Sequence, residues 1–306
     1  MTIGGIPEIA VGETGVEVGS LAPVAGLVKS PWRRAARRFV RQPAGIIGLT
    51  LILGYLVMAV GAPLLSPYNP DQSFASALLH PPSSKFLLGT DELGRDLLSR
   101  IIYGTRPALA VGAAAVAVGA VIGALSGFAA GYFRSRVGNL IMRFWDGVFA
   151  VPAVLIGMAL AATYGPSNAV IGAAVGIAAA PALARISYGS TLAELERGYV
   201  EASRSLGFRE LRIFFLHVVP NALSAVIVNL ALTMSGAILL EAALAFLGVG
   251  PPPPAPTWGV MLSTSRTYLG QAWWYGVFPG IAITGLVLGL NLLADAARDA
   301  LDPRTV

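Results

Sequence analysis

Residues Pro107–Phe133 read PALAVGAAAVAVGAVIGALSGFAAGYF, 27 positions without a charge. About 20 apolar residues carry an α-helix across the hydrocarbon of a bilayer, and lipid offers no partner to an open backbone. The stretch is therefore read as a membrane helix. The pattern repeats on both sides of it. Ala44–Leu65 is uncharged over 22 residues, Gly147–Ala184 over 38, Val218–Leu240 over 23 and Thr267–Ala294 over 28. The 38-residue run holds Gly165-Pro166-Ser167-Asn168 at its middle, a turn that divides it into two short helices. The expected fold is all-α and polytopic, with six transmembrane helices. Their wealth of Gly and Ala lets neighbouring backbones approach closely.

Composition agrees. Of 306 residues, 55% are hydrophobic and only 12% charged, against about 25% charged in a soluble domain. Without cysteine there is no disulfide scaffold and no Cys-ligated zinc or iron–sulfur site. Two histidines, His80 and His217, make a His-rich metal site implausible, and no metal ligands are assigned. The two lysines, Lys29 and Lys85, do not follow Gly, so the chain holds no GxxxxGK[ST] phosphate loop. If its work consumes ATP, a partner binds the ATP. The net charge of +5 could suggest nucleic acid. The basic residues, however, flank the apolar runs, as membrane topology requires.

Residues 1–28 lack Lys and Arg and so lack the n-region of a signal peptide; they read as a flexible tail. Lys29, Arg33, Arg34, Arg37, Arg38 and Arg41 then abut the first span and hold the N-terminus in the cytoplasm. Six spans place both termini on one side. On that assignment 16 Lys and Arg lie inside and five outside, giving N-in, C-in. The chain divides into a cytoplasmic tail (1–43), the first helix with an external segment (44–105), a five-helix core (106–295) and a C-terminal tail (296–306).

Two polar segments are too long to be turns. The cytoplasmic one runs from Tyr199 to Asn221 as helix, Gly break, helix. Tyr199, Ala202, Ser203 and Leu206 fall on one helix face. Gly207 suits the left-handed position after a helix end, and Phe208, Leu211, Phe214 and Phe215 make a second apolar face toward the membrane. Pro220 fits the opening of the next span. The small-residue knuckle Ala202-Ser203-Arg204-Ser205 is a shape another protein's cleft can hold, although an amphipathic surface helix that only joins two spans has the same pattern. In the external segment, Phe86–Arg106, Gly89 makes a turn, Thr90 or Asp91 caps a helix start, and Leu93, Leu97, Leu98 and Ile101 form its apolar face.

Both segments carry a resemblance. Glu201-Ala202-Ser203, Gly207 and His217-Val218-Val219-Pro220 are similar to the EAA signature of ABC-importer permeases, with Ser203, His217 and Val219 departing from its Ala, Ile and Leu. Gly89-Thr90-Asp91, Gly94-Arg95-Asp96 and the following Ser99-Arg100 and Tyr103-Gly104 resemble the dipeptide/oligopeptide (and nickel) importer permeases, C-type subunit. Asn291–Asp295 and Arg298–Arg304 resemble that family's ending. The resemblance implies a type I ABC-importer permease fold in the cytoplasmic membrane. It implies a homologous second permease, two ATP-binding subunits that hold ATP and Mg, and an extracytoplasmic substrate-binding protein. It also implies that Tyr199, Glu201, Ala202, Ser203, Arg204, Ser205, Leu206, Gly207 and Phe208, within a coupling segment 199–215, dock on an ATPase. The expected function is import of short peptides by alternating access; nickel chelates or haem-like cargo fit the same architecture. No cofactor and no catalytic residue is assigned to this chain.

The remaining polar residues are sparse. Arg143 and Asp146 lie i, i+3 and can pair across a turn, a reading preferred to a proton relay because no second acid lies deeper. Glu241 stands near the outer end of the fifth span, facing the translocation path or the external loop. His80, beside Pro81 and Pro82, is solvated. Trp258, Trp273, Trp274 and Tyr275 fit an outer interfacial belt. A stand-alone secondary transporter needs ion-coupling groups inside the spans, and Glu241 is a thin basis for one. A membrane-embedded enzyme needs a nucleophile–base pair or a metal site, for which two distant histidines do not suffice.

Overall fold

The computed structural model describes Phe39 and residues 42–301; the basic cluster 29–41, the tail before it and residues 302–306 with Arg304 lie outside the described residues. The described chain is helical, with only two isolated β-bridges. Five helices are long and apolar enough to cross a membrane: α1 (Pro43–Leu65), α2 (Leu97–Phe133), α5 (Asn168–Leu195), α7 (Glu210–Val249) and α9 (Trp273–Leu301). Between α2 and α5 lie α3 (Arg136–Phe149) and α4 (Ala153–Tyr164), bent 81° against each other. Two short helices complete the order, α6 (Gly198–Ser205) on one side and α8 (Trp258–Ser265) on the other.

The bent pair is the sixth crossing. α1 packs antiparallel on α9: a Cβ on Gly48 would meet Leu293, one on Gly289 would meet Leu51, and one on Gly285 would meet the Tyr55 hydroxyl. Gln42 Nε2 donates to Asp299 Oδ2 at 3.0 Å. The start of the first helix and the end of the last therefore share a side, which an odd number of crossings cannot achieve. The third span opens at Arg136, not Gly147, and breaks at Val151-Pro152.

Small residues set the spacing inside the bundle. Gly119, Gly123, Gly127 and Gly131 recur every fourth position on α2. A Cβ at Gly123 would lie 2.8 Å from Ala180 Cα, and one at Gly127 2.9 Å from Ala184 Cα, with Thr191 against Gly131. Two backbones thus meet without side chains between them. The first of these glycines opens a π-helical stretch, Gly119–Ala124. The main core joins α1, α2, α7, α8 and α9 around Tyr55, Leu97, Ile238, Trp258, Met261, Tyr275 and Leu286. α1 leaves Val57, Val60 and Leu64 exposed, a surface suited to lipid.

Two expectations change. Trp258, Trp274 and Tyr275 are buried, and only Trp273 is exposed, at 54%. Trp258 Nε1 donates to Ile101 O at 3.0 Å and Trp274 Nε1 to Thr90 O at 3.3 Å. An indole N–H needs a partner when buried, and here the backbone supplies it, so these rings are internal struts rather than a belt. Pro220 does not open a span. The helix already runs from Glu210, and a π-helical turn at Phe214–Val218 precedes the proline, one way a helix accommodates a residue without an N–H.

Candidate functional site

The cytoplasmic segment forms from its local chemistry. α6 has Glu201 in its first turn and Arg204 in its last, each complementing the helix dipole. Gly207 follows with φ +79. Its N–H donates to Arg204 O at 2.9 Å and the Phe208 N–H to Ser203 O at 3.2 Å, the paired bonds of a Schellman stop. Arg204 then reaches over the turn to Glu210, with Nε and Nη2 at 2.8 and 3.1 Å from its two oxygens. Those hydrogen bonds hold the Arg204 guanidinium above its usual pKa range.

This knuckle is seated on its own bundle by Val200 and Ile213, which the periodicity did not single out, and by Phe214, which it did. Val200, Ile213 and Phe214 are buried with Leu195, Phe128, Leu183 and Val218, and Phe214 lies 4.8 Å from the Tyr132 ring. The face of Tyr199, Ala202, Ser203 and Leu206 is split. Tyr199 is half-buried, its hydroxyl donating to Glu194 Oε2 at 2.8 Å, and burial pushes its pKa up. Leu206 is 76% exposed. Glu201, Ala202, Arg204, Ser205, Gly207 and Phe208 are exposed and Ser203 partly so. Nothing lies within 4 Å of a Cβ built on Gly207. The second aromatic face divides likewise: Phe214 points into the bundle and Phe215 is exposed. An anchored underside and an uncovered tip, Leu206-Gly207-Phe208, are thereby presented together.

At the opposite end residues 66–96 fold into a cap. The Asp91 carboxylate, fully buried, accepts from Arg95 Nε at 2.6 Å and from the backbone N–H groups of Arg95 and Leu93 at 2.8 and 3.0 Å. Arg100 Nε lies 3.4 Å from the same carboxylate, and Arg95 Nη2 3.3 Å from Glu92 Oε1. Arg100 Nη1 also donates to Pro70 O at 3.0 Å and to Pro254 O at 3.4 Å, tying the cap to the proline-rich loop. Gly89 (φ +79) and Gly94 (φ +72) turn the chain; a side chain on Gly89 would strike the Trp274 ring and one on Gly94 the Phe74 backbone. Thr90 accepts from the His80 N–H at 2.8 Å. The helix cap is Asp96, not Thr90 or Asp91: its carboxylate accepts from the Ser99 N–H at 2.8 Å. α2 accordingly starts at Leu97, and Leu93 is left exposed at 49%. The structure brings Gly89, Thr90, Asp91, Gly94, Arg95 and Asp96 into one knot and adds Arg100, Trp274 and Tyr275. Arg100 was visible in the motif; the two aromatics, 170 or more positions away, were not.

Among single residues, Glu241 is 3% exposed, with Oε1 buried and without a hydrogen-bond partner. Asp146 does not pair with Arg143. It pairs with Arg185 of α5, Nη2 to Oδ1 at 2.7 Å, because the helix contact, not the i, i+3 spacing, brings the guanidinium within reach. His80 is exposed as expected.

A helical bundle with an exposed cytoplasmic elbow and a folded external cap has the form of the membrane component of a multi-subunit transporter. The chain belongs to the family of binding-protein-dependent transport system inner membrane components, whose model matches residues 119–306. The N-terminal TM domain of oligopeptide transport permease C matches residues 30–82. It is a C-type permease of the peptide ABC-importer group in the cytoplasmic membrane. The di/tripeptide transport system permease protein DppC of Pseudomonas aeruginosa (strain UCBPP-PA14) is 43% identical over 283 residues, covering 90% of this chain and 93% of that protein. The dipeptide transport system permease protein DppC of Escherichia coli (strain K12) is 42% identical, covering 87% and 91%. The glutathione transport system permease protein GsiD of Pectobacterium atrosepticum is 40% identical, covering 90% and 92%. A solved structure of the MetNI methionine ABC transporter in inward-facing conformations shares the fold, with TM-score 0.58 at 17% identity, over 67% of this chain and 98% of that one. Permeases of this family work with ATPase and substrate-binding partners.

Proposed function

We propose that this chain is one of two non-identical permease subunits of an importer of short peptides. Two ATP-binding subunits hold ATP and Mg, and an extracytoplasmic binding protein delivers cargo to the capped side. The observation that supports this most is the elbow at Glu201–Phe208. It is uncovered at its tip yet seated on Val200, Ile213 and Phe214, so a push there moves α5 and α7 rather than a loose loop. In this reading Tyr199 to Phe208 form the ATPase contact, the core 106–295 carries the moving helices, and Glu241 meets the pathway in a state where α2 and α7 part. Coupling requires that the ATPase touch the elbow differently in the two states.

Short peptides are favoured over nickel chelates or haem-like cargo because the named relatives serve di/tripeptide, dipeptide and glutathione transport. The test of coupling is Gly207→Asp in the assembled complex. It adds charge and a left-handed non-glycine residue at an open position, so membrane insertion should be kept while peptide uptake and ATPase retention on purification are lost. Normal values of both would refute the assignment. The isolated chain is expected to hydrolyse no ATP, checked by phosphate release from a clean preparation.

A further inference from the structure

Ionisable side chains on membrane helices are rare and mark water-filled cavities or partner contacts. Arg185 and Asp146 form such a pair, and neither points into the chain's own core: their side chains are 52% and 58% exposed. α5 continues ten residues beyond Arg185 to Leu195, about 15 Å at 1.5 Å per residue, so Arg185 is not a helix-end residue. Asp146 stands equally far along α3 from Arg136. The two are held together firmly. The guanidinium also lies 5.0 Å over the Phe149 ring, while Trp145, one residue before Asp146, is buried with its Nε1 donating to Ser126 Oγ at 2.8 Å.

The pair ends a polar line. Arg136, Asn139, Arg143 and Asp146 fall at i, i+3, i+7 and i+10 of α3, all exposed, on one face. Exposed Val137, Leu140 and Phe144 occupy another face of the same helix. α3 therefore shows lipid-like and water-like sides together. On α5 the exposed neighbours of Arg185 on its own face are Ala182 and Gly189, which leave free space around the guanidinium; nothing lies within 4 Å of a Cβ at Gly189.

The geometry points to the Arg185–Asp146 pair as a charged wall of the water-filled cytoplasmic half of the translocation passage, where it contacts zwitterionic cargo: the carboxylate for a free ammonium, the guanidinium for a free carboxylate. The cargo half of this inference rests on the peptide-import reading; the aqueous half does not. The chain has no cysteine, so single cysteines report cleanly. In the assembled transporter, Asp146→Cys, Arg185→Cys, Ala182→Cys and Gly189→Cys are each exposed in inside-out membranes to a charged, membrane-impermeant thiol reagent, with Val60→Cys on the lipid-suited face of α1 as reference. Ala182→Cys and Gly189→Cys keep the ion pair, so they serve if its loss prevents assembly. Labelling at least tenfold faster than at Val60→Cys, and slowed several-fold by a dipeptide with free ends but not by one blocked at both ends, is the expected result. Labelling no faster than the reference overturns the passage assignment. Fast labelling indifferent to the free dipeptide, while the wild-type complex imports that dipeptide, overturns the cargo contact. If wild type imports no peptide yet these positions label fast, the peptide reading fails and the aqueous wall stands.

Discussion

At the scale of single residues, Asp91 carries the external cap. Its carboxylate is the shared counter-charge of two buried guanidiniums, Arg95 and Arg100, which are 6% and 3% exposed. Removing one member of a buried ion cluster leaves uncompensated charge and costs about 3–5 kcal/mol. Asp91→Ala and Asp91→Asn are both expected to destabilise by about that amount, read as a lowered midpoint of thermal unfolding in detergent. Glu92→Gln, at a more open partner of Arg95, should cost about 1 kcal/mol or less. Gly207 poses a different demand: space is free, but φ is +79. Asn tolerates that region and a β-branched residue does not. Gly207→Asn should therefore keep most uptake and Gly207→Val should lose it, measured by peptide uptake in the assembled system.

At the scale of helices, the α2–α5 contact depends on glycine spacing. The Cβ positions at Gly123 and Gly127 fall on the α5 backbone, which has no rotamer to change. Gly127→Val is expected to cost more than the 1–3 kcal/mol typical of overpacking against side chains and to reduce the yield of folded protein. Gly189→Ala on the open face of α5 should be neutral or slightly stabilising by helix propensity. Apolar runs predicted which segments are helices, but not where they end. The charge at Arg185 stopped the third run at Ala184, yet the helix continues to Leu195, because Thr191 packs on Gly131 and Leu195 joins the Val200 cluster. Leu97 to Arg106 was assigned to a separate external helix for the same reason, and it is the first part of α2, capped by Asp96.

At the scale of the whole molecule, two rigid ends bracket a bundle whose helices meet through small residues. The cap is locked by ions and aromatics; the elbow is seated by Val200, Ile213 and Phe214. Such a body transmits displacement, since packed elements shift as units rather than deform. A charge swap, Asp146→Arg with Arg185→Asp, retains pairing while inverting its order. It should leave assembly intact, checked by co-purification of the ATPase subunits, while lowering peptide uptake, and thereby separate the structural part of the pair from its part in transport.

The primary sequence by itself determined the helical class, the six crossings and the two polar segments that matter, because run length and charge act locally and lipid admits few alternatives. It also determined the turn at Gly207, a demand of one residue's backbone. Only the tertiary structure decided the partner of Asp146, the burial of Trp258, Trp274 and Tyr275, and the role of Val200. Each of these depends on which helix faces which across distances that periodicity does not encode: a nearby Arg143 lost to Arg185 because helix packing, not sequence spacing, sets the distance between charges.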